Sequence, residues 1–201
     1  MNRRTMYELS QGVYYLFLGL WFGALVMLAI GAAVTFRTVR RYEVTLGLEP
    51  FNHEALAAEA PNILAGAITG NALRALGMVQ VLCAVMVLGC LVAQATVFAR
   101  YIAQSSVNWI RTLCVLVPSI IIVIDIAAIS PRIWEYRRQM YDPQLSAEAR
   151  AIHRQDFQYY HKLSERVVGA GALMLAGALV LSPLALSRKP DDQVPDERTT
   201  A

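Results

Sequence analysis

The sequence is poor in charge. Of its 201 residues, only 16% are Asp, Glu, Lys or Arg, against about 25% in ordinary soluble domains. The charges are also unevenly spread, because the stretches 12–36, 75–99 and 167–187 contain none and the stretch 112–131 contains only Asp125. A surface built from such stretches is too apolar for water. This scarcity excludes an ordinary water-soluble domain.

Cysteine is scarce as well. The three residues Cys83, Cys90 and Cys114 lie inside or at the edge of uncharged stretches, and an odd number of cysteines in apolar helices does not make a disulfide framework. Cys83 and Cys90 are seven residues apart and share a helix face, where two sulfur atoms suit a soft metal. Small buried packing residues are the alternative. We predict packing, with no metal site and no cofactor.

Recognisable catalytic motifs are missing. The sequence contains no G-x-S-x-G, no P-loop, no H-E-x-x-H and no Cys-x-x-Cys. No nucleophile stands at a familiar spacing from a base, so we expect no enzyme activity. The basic residues are scattered along the loops instead of forming one patch, so nucleic-acid binding is not expected either.

The sequence is rich in long apolar stretches. Hydrophobic residues make up 56% of it. A bilayer core of about 30 Å needs roughly 20 apolar residues in a helix, and four stretches reach that length. We predict an all-α integral membrane protein, a four-helix bundle in the lipid bilayer, with spans at about 12–36, 75–99, 110–131 and 166–187. Residues 1–187 are predicted to form a single domain, and the polar segment 188–201 a disordered tail.

The segments before spans 2 and 4 carry helix signals. Pro61 suits a first helical turn, and the apolar residues after it fall at helical spacing. Ser146 suits an N-cap, with Glu148 in the first turn, and the stretch 147–168 contains no Gly or Pro. We therefore predict helical extensions that precede spans 2 and 4 and are continuous with them.

Basic residues predict the orientation. With four spans, the 1–2 and 3–4 loops share one side of the membrane, and they hold eleven Lys and Arg residues against seven on the other side. The positive-inside rule then places both loops in the cytoplasm and both termini outside. We expect a multi-pass protein of the cell (inner) membrane.

Small residues recur at helical spacing. Gly19 and Gly23 form a G-x-x-x-G pattern in span 1, and Gly66, Gly70 and Gly77 share one face of helix 2. Such faces let two helix backbones approach closely in lipid. They serve either packing within one bundle or an interface with a second copy or another membrane protein, and the sequence leaves both open.

Asp125 is the first candidate functional residue, because it stands inside the apolar run SIIIVIDIAAISP at 119–131. A carboxylate there costs roughly 3 kcal/mol on insertion scales, so it must be protonated, paired or hydrated. Either it is a satisfied polar anchor of the bundle or it takes part in the passage of an ion or solute. The basic residues near the same interface that are candidates for pairing are Arg37, Arg74, Arg132 and His161.

His161 is the second candidate. Ser164 and Glu165 lie three and four residues beyond it, on the same helix face. A His and a Glu four residues apart give two ligands to a metal, but a metal site needs more. A structural ring packed on a neighbouring helix end and a proton-relay role are the alternatives.

Several short motifs together resemble one family. They are GLWFGALV in span 1, LAGAITG before span 2, ISPRIWEYR after span 3 and DFQYYHKLS before span 4. Their order and spacing, over about residues 12–187, look like the transmembrane protein 205-like family, a four-span domain of unknown function. The resemblance assigns that family's Phe, His and Ser pattern to Phe157, His161 and Ser164. It implies a membrane protein without an established enzymatic activity, linked in general terms to platinum-drug resistance and export.

Two functional hypotheses follow. The first is a small transport or ion-handling protein that uses Asp125 and His161 in a polar pocket near the cytoplasmic interface. The second is a structural or accessory subunit, in which Asp125 fixes the helix register and the glycine faces bind a membrane protein partner or a second copy. Water at Asp125 favours the first hypothesis, and a sealed, paired Asp125 favours the second.

Overall fold

A computed structural model of the chain describes residues 3–42, 60–98, 106–142 and 144–186. These residues form helices and no strand, which confirms the predicted all-α class. The helices are α1 (Arg3–Arg41), α2 (Ala60–Thr96), α3 (Ser106–Ile124), a π-helical turn (Asp125–Ile129), α4 (Ser130–Met140) and α5 (Ala147–Leu186). From α3 through the π turn to α4 the chain runs on as one helix of 35 residues.

Four of these helices are long and apolar enough to cross a membrane. At a rise of 1.5 Å per residue, the 39 residues of α1 span about 58 Å, nearly twice the hydrocarbon thickness of about 30 Å. In the most apolar window of each helix only 17% to 28% of the residues are buried. Most apolar side chains therefore face outward, as lipid requires, and the chain is a multi-pass membrane protein.

A stripe of inward residues along each helix holds the bundle together. In α1 the stripe is Tyr14, Leu18, Trp21 and Leu25, at the spacing of one helix face. In the third span the same spacing joins Val115 and Ile122 of α3 with Asp125 of the π turn, all of them buried. The periodicity of its own helix therefore turns Asp125 toward the other spans.

The helices pack in two pairs, α1 on α2 and the third span with α4 on α5. The predicted helical extensions are both present. The second span is helical from Ala60, the first described residue of its segment, and α5 begins at Ala147. Ser146 caps α5, because its Oγ accepts a bond of 3.2 Å from the N–H of Ala149. The predicted tail at 188–201 lies outside the described residues.

The extensions gather at one end of the bundle, in a part we name the collar: residues 60–74 of α2, all of α4, and residues 147–165 of α5. Aromatic rings tie α4 to α5 there, with Tyr136 stacked between His153 and Tyr160 at centroid distances of 6.1 and 5.6 Å. Arg132 donates a hydrogen bond to the hydroxyl of Tyr160. The collar is thus a packed structure, and Asp125 lies directly beside it in the chain.

Candidate functional site

The third span changes its winding at Asp125. In the π turn Asp125–Ile129, the N–H of Ser130 donates to the carbonyl oxygen of Asp125, five residues back. We attribute the turn to Pro131, which has no N–H and whose ring crowds the carbonyl four residues before it. A wider turn relieves this crowding, and such turns are frequent at functional sites.

The Asp125 carboxylate is buried and held by two serines. Its Oδ1 accepts a hydrogen bond from the Oγ of Ser164, and its Oδ2 accepts one from the Oγ of Ser130, each at 2.9 Å. Asp125 is only 8% exposed and Ser164 7%. Within the described residues, no basic group forms an ion pair with this carboxylate. Two hydroxyl groups therefore stand where a basic partner would be, and a basic partner is one of the three states that the sequence leaves open.

A cavity of about 690 Å³ opens beside Asp125. All four spans contribute to its wall, which is mostly apolar. The cavity has the size of a small-molecule pocket. The wall also carries a few side chains with polar groups, namely Trp21, Arg74, Gln80, Asp125, Ser130 and Trp134.

Arg74 and Asp125 both lie in the wall of one cavity. The guanidinium carbon of Arg74 lies 4.6 Å from the ring centroid of Trp134, and that of Arg137 lies 5.7 Å from the same ring. These are cation–π distances. Arg74 is exposed and is directed to the indole, and within the described residues it forms no ion pair with Asp125.

Two glycines of α2 let α4 approach closely. A methyl group at Gly70 would lie 2.7 Å from Cη2 of Trp134, and one at Gly66 would lie 3.0 Å from Nη2 of Arg137. Arg137 donates from Nη1 to the carbonyl of Gly66 at 2.6 Å and from Nη2 to the carbonyl of Ile63 at 2.9 Å. Arg137 thereby fixes α4 to α2 beside the cavity.

The other predicted glycines have open surroundings. The described part of the chain places no atom within 4 Å of a Cβ built at Gly19, Gly23 or Gly77. Gly77 lines the cavity, whereas Gly19 and Gly23 lie one turn apart on α1. The structure therefore offers no close packing for these three glycines within the described residues, and a partner face at Gly19 and Gly23 stays a prediction.

His161 lies apart from the cavity wall. Its side chain is 52% exposed, its Nε2 is 3.2 Å from Oε1 of Glu165, and its ring stacks on Phe157 at a centroid distance of 5.5 Å. Arg37 is likewise exposed, near the end of α1, and outside the wall. The structure thus separates two residues that the sequence places in one pocket, because Ser164 takes the inward position on α5 and leaves His161 turned outward.

Sequence reasoning missed a second polar cluster, around Arg111. This residue is 1% exposed, its Nη2 donates to Oε1 of Gln94 at 3.1 Å, and its guanidinium carbon lies 5.2 Å from the ring centroid of Tyr14. The Nε and Nη1 of Arg111 and the Nε2 of Gln94 have no hydrogen-bond partner among the described residues. Arg111 precedes Val115 by four residues on the inward stripe of α3, and this spacing was the signal that the charge is buried.

The geometry at Asp125 suits a positively charged ligand. A carboxylate has about four acceptor positions, and the two serines occupy one on each oxygen. The free positions can accept bonds from an ammonium group or from water. Nowhere in the described ranges do three His, Cys, Asp or Glu side chains come together as a metal site requires.

Because comparison with other proteins gives no match, the geometry at Asp125 is the basis on which a function is proposed. The resemblance to the transmembrane protein 205-like family stays a prediction from short motifs. No protein-family model, curated protein or solved structure matches the chain.

Proposed function

We propose that this multi-pass membrane protein passes a small solute or an ion through the cavity at Asp125. The observation that carries the proposal is the Asp125 carboxylate, which lines the cavity with each oxygen bound to one serine hydroxyl and no ion pair to a described basic residue. Ionisable residues inside spans usually face a bundle interior or a water-filled cavity and mark ion or substrate paths. The proposal also places the protein in the cell membrane, with the 1–2 and 3–4 loops in the cytoplasm. It includes no enzymatic activity.

The test is whether water reaches Asp125. Cys83, Cys90 and Cys114 are replaced by Ala, single cysteines are introduced at Asp125 or Ser130, and membranes are treated from each side with an impermeant thiol reagent. Ser130 lines the same cavity, and its replacement keeps the carboxylate. The matched control is Val87→Cys, which is fully buried in the core and outside the cavity wall.

We expect both cavity positions to react from one side only, and Val87→Cys to stay unreacted. A water path from one side is what a solute or ion needs in order to reach the carboxylate. If neither cavity position reacts from either side in protein that inserts normally, the cavity is sealed and the passage proposal fails.

A second candidate function is an accessory subunit that binds another helix at Gly19 and Gly23. The open space at both glycines, one turn apart on α1, supports it, because small residues at this spacing permit close helix contact in lipid. The double variant Gly19→Leu, Gly23→Leu is expected to abolish a dimer or a hetero-complex seen by crosslinking in membranes. Gly31→Leu, at another open position on α1, is the control, and an unchanged assembly in the double variant contradicts this function.

A further inference from the structure

The cavity opens sideways, between α2 and the third span. Met78 and Val81 of α2 and Ile126 in the π turn all line the cavity, and they are 73%, 42% and 46% exposed. Side chains that line a cavity and also face outward mark its mouth. Since 75–99 carries no charge and 112–131 only Asp125, the outside at these positions is lipid hydrocarbon.

Most polar groups of the wall lie at one end of the cavity, whereas Gln80 and Trp21 are the polar side chains elsewhere in it. Asp125, Ser130 and Arg74 are at the end where the third span meets the collar, while the mouth is formed by the apolar side chains of Met78 and Val81. A fully water-soluble ion gains nothing from an apolar mouth that faces lipid. A purely apolar molecule gains nothing from a buried carboxylate, which it would only desolvate further.

We propose that the ligand of this cavity is an amphiphile with an ammonium group, which reaches the cavity from the bilayer through the mouth at Met78, Val81 and Ile126. This inference rests on the proposed function, whose solute it assigns to a chemical class. The ammonium group lies against Asp125, because a carboxylate with free acceptor positions matches its charge and its N–H or N–CH₃ groups. The apolar body extends along the mouth into the lipid.

Two kinds of molecule share this chemistry. One is an aminophospholipid, whose phosphate has a partner in Arg74 on the same wall. The other is a lipophilic organic cation, for which Arg74 is only a like charge. The two sources therefore respond in opposite ways to the loss of Arg74, which allows one experiment to separate them.

The probe is a fluorescent pair that differs only in the ammonium group: trimethylammonium-diphenylhexatriene and neutral diphenylhexatriene. The full chain is held in nanodiscs of phosphatidylglycerol, and saturable energy transfer from tryptophan to the probe reports binding near Trp21 and Trp134, which line the cavity. We expect the charged probe to saturate at a concentration about tenfold lower than the neutral probe, the ratio for one modest ion pair.

Two variant pairs test the two halves of the inference. Asp125→Asn is expected to abolish the preference for the charged probe, whereas Glu165→Gln, which removes an exposed charge paired with His161, leaves it unchanged. Val81→Phe, which narrows the mouth without adding a tryptophan donor, is expected to weaken binding of both probes about tenfold. Val85→Phe, at an exposed position one turn further along α2 and outside the wall, does not. The Val81 variant keeps the test decisive if Asp125→Asn fails to fold.

A competition experiment distinguishes the two kinds of ligand. Addition of phosphatidylethanolamine to the nanodiscs displaces the charged probe if the ligand is an aminophospholipid, and Arg74→Gln removes that displacement. If phosphatidylethanolamine does not compete and Arg74→Gln strengthens binding of the probe, the ligand is an organic cation. Either result supports an ammonium amphiphile.

Equal saturation by the two probes in the wild-type chain overturns the inference, and so does an undiminished preference in Asp125→Asn. Failure of the inference is distinct from failure of the proposed function. A cavity whose cysteines react with an aqueous reagent while no probe prefers the carboxylate still passes a solute, but one of another class.

Discussion

At Asp125 a buried carboxyl group is held by two neutral hydroxyl groups. The two serine hydroxyls come from different helices, Ser130 from the start of α4 and Ser164 from α5. Each hydroxyl has a single proton to donate, so both protons are committed to the carboxylate. The pair therefore orients Asp125 and links α5 to the third span without an ion pair among the described residues.

The coupling between Asp125 and Ser164 is measurable. We expect Ser164→Ala to lower the free energy of unfolding by about 0.6–2 kcal/mol, the range for side-chain hydrogen bonds between membrane helices. In an Asp125→Asn background the same substitution is expected to cost less, since an amide is a weaker acceptor than a carboxylate. The measurement is a double-mutant cycle by SDS titration in mixed micelles. A zero coupling energy would show that the bond contributes nothing to stability.

Arg111 poses the opposite problem, because its buried guanidinium has one hydrogen-bond acceptor, Gln94, and two nitrogen atoms without a partner among the described residues. Gln94→Leu alone is expected to destabilise the protein by about 1.5–3 kcal/mol, since it removes the acceptor of a charged donor. Adding Arg111→Met is expected to reverse the sign and raise stability above wild type by about 1–4 kcal/mol. The same SDS titration measures both, and a double variant less stable than Gln94→Leu contradicts the account.

At the scale of helices, the contact between α2 and α4 depends on the absence of a side chain. Trp134 fills the space over Gly70 and is flanked by the guanidinium groups of Arg74 and Arg137. A ring held between two charged groups cannot step aside cheaply. The small residue and the large one are therefore complementary parts of one interface.

Gly70→Ala is accordingly expected to lower the free energy of unfolding by about 1–3 kcal/mol, the usual range for overpacking. Gly89→Ala on the same helix, where a methyl group meets no described atom within 4 Å, is expected to be neutral or to stabilise by up to about 1 kcal/mol through helix propensity. Thermal unfolding in detergent compares the two variants. Equal effects at both positions would mean that Trp134 yields without cost.

At the scale of the whole molecule, the orientation is a prediction from the basic residues, and two exposed positions test it. In the cysteine-free chain, Gln144→Cys lies between α4 and α5 and Thr5→Cys near the start of α1, both exposed. We expect an impermeant thiol reagent to label Thr5→Cys in intact cells and Gln144→Cys only after the membrane is opened. The reverse pattern would place the 3–4 loop outside and invert the positive-inside assignment.

The sequence predicts those features that a single helix decides. The uncharged stretches predict the spans, Ser146 predicts the start of α5, and the spacing of Asp125 from Val115 and Ile122 explains why it faces inward. What the sequence does not predict depends on how one helix is set against another. Ser164, rather than His161, meets Asp125 because of the register between α5 and the third span, which neither segment encodes alone.

Arg111 and the π turn escaped prediction for related reasons. Arg111 stands at the border of an uncharged stretch, where the count of loop charges includes it, so its four-residue spacing from Val115 was overlooked, and the contacts with Gln94 and Tyr14 come from other helices. Pro131 shows that the regular bonding is interrupted, but a kink and a π turn satisfy that requirement equally well.

The attachment of Arg137 to α2 has a mechanical consequence. Arg137 donates hydrogen bonds to the carbonyl groups of Ile63 and Gly66 at the outer part of α2. Further along, the same helix supplies Gly70, Arg74 and Gly77 to the cavity wall. The helix α2 therefore connects the collar directly to the part of the cavity wall that lies in the membrane. We therefore expect a displacement of the collar, by a bound protein or by the lipid surface, to shift the cavity wall and change the width of its mouth.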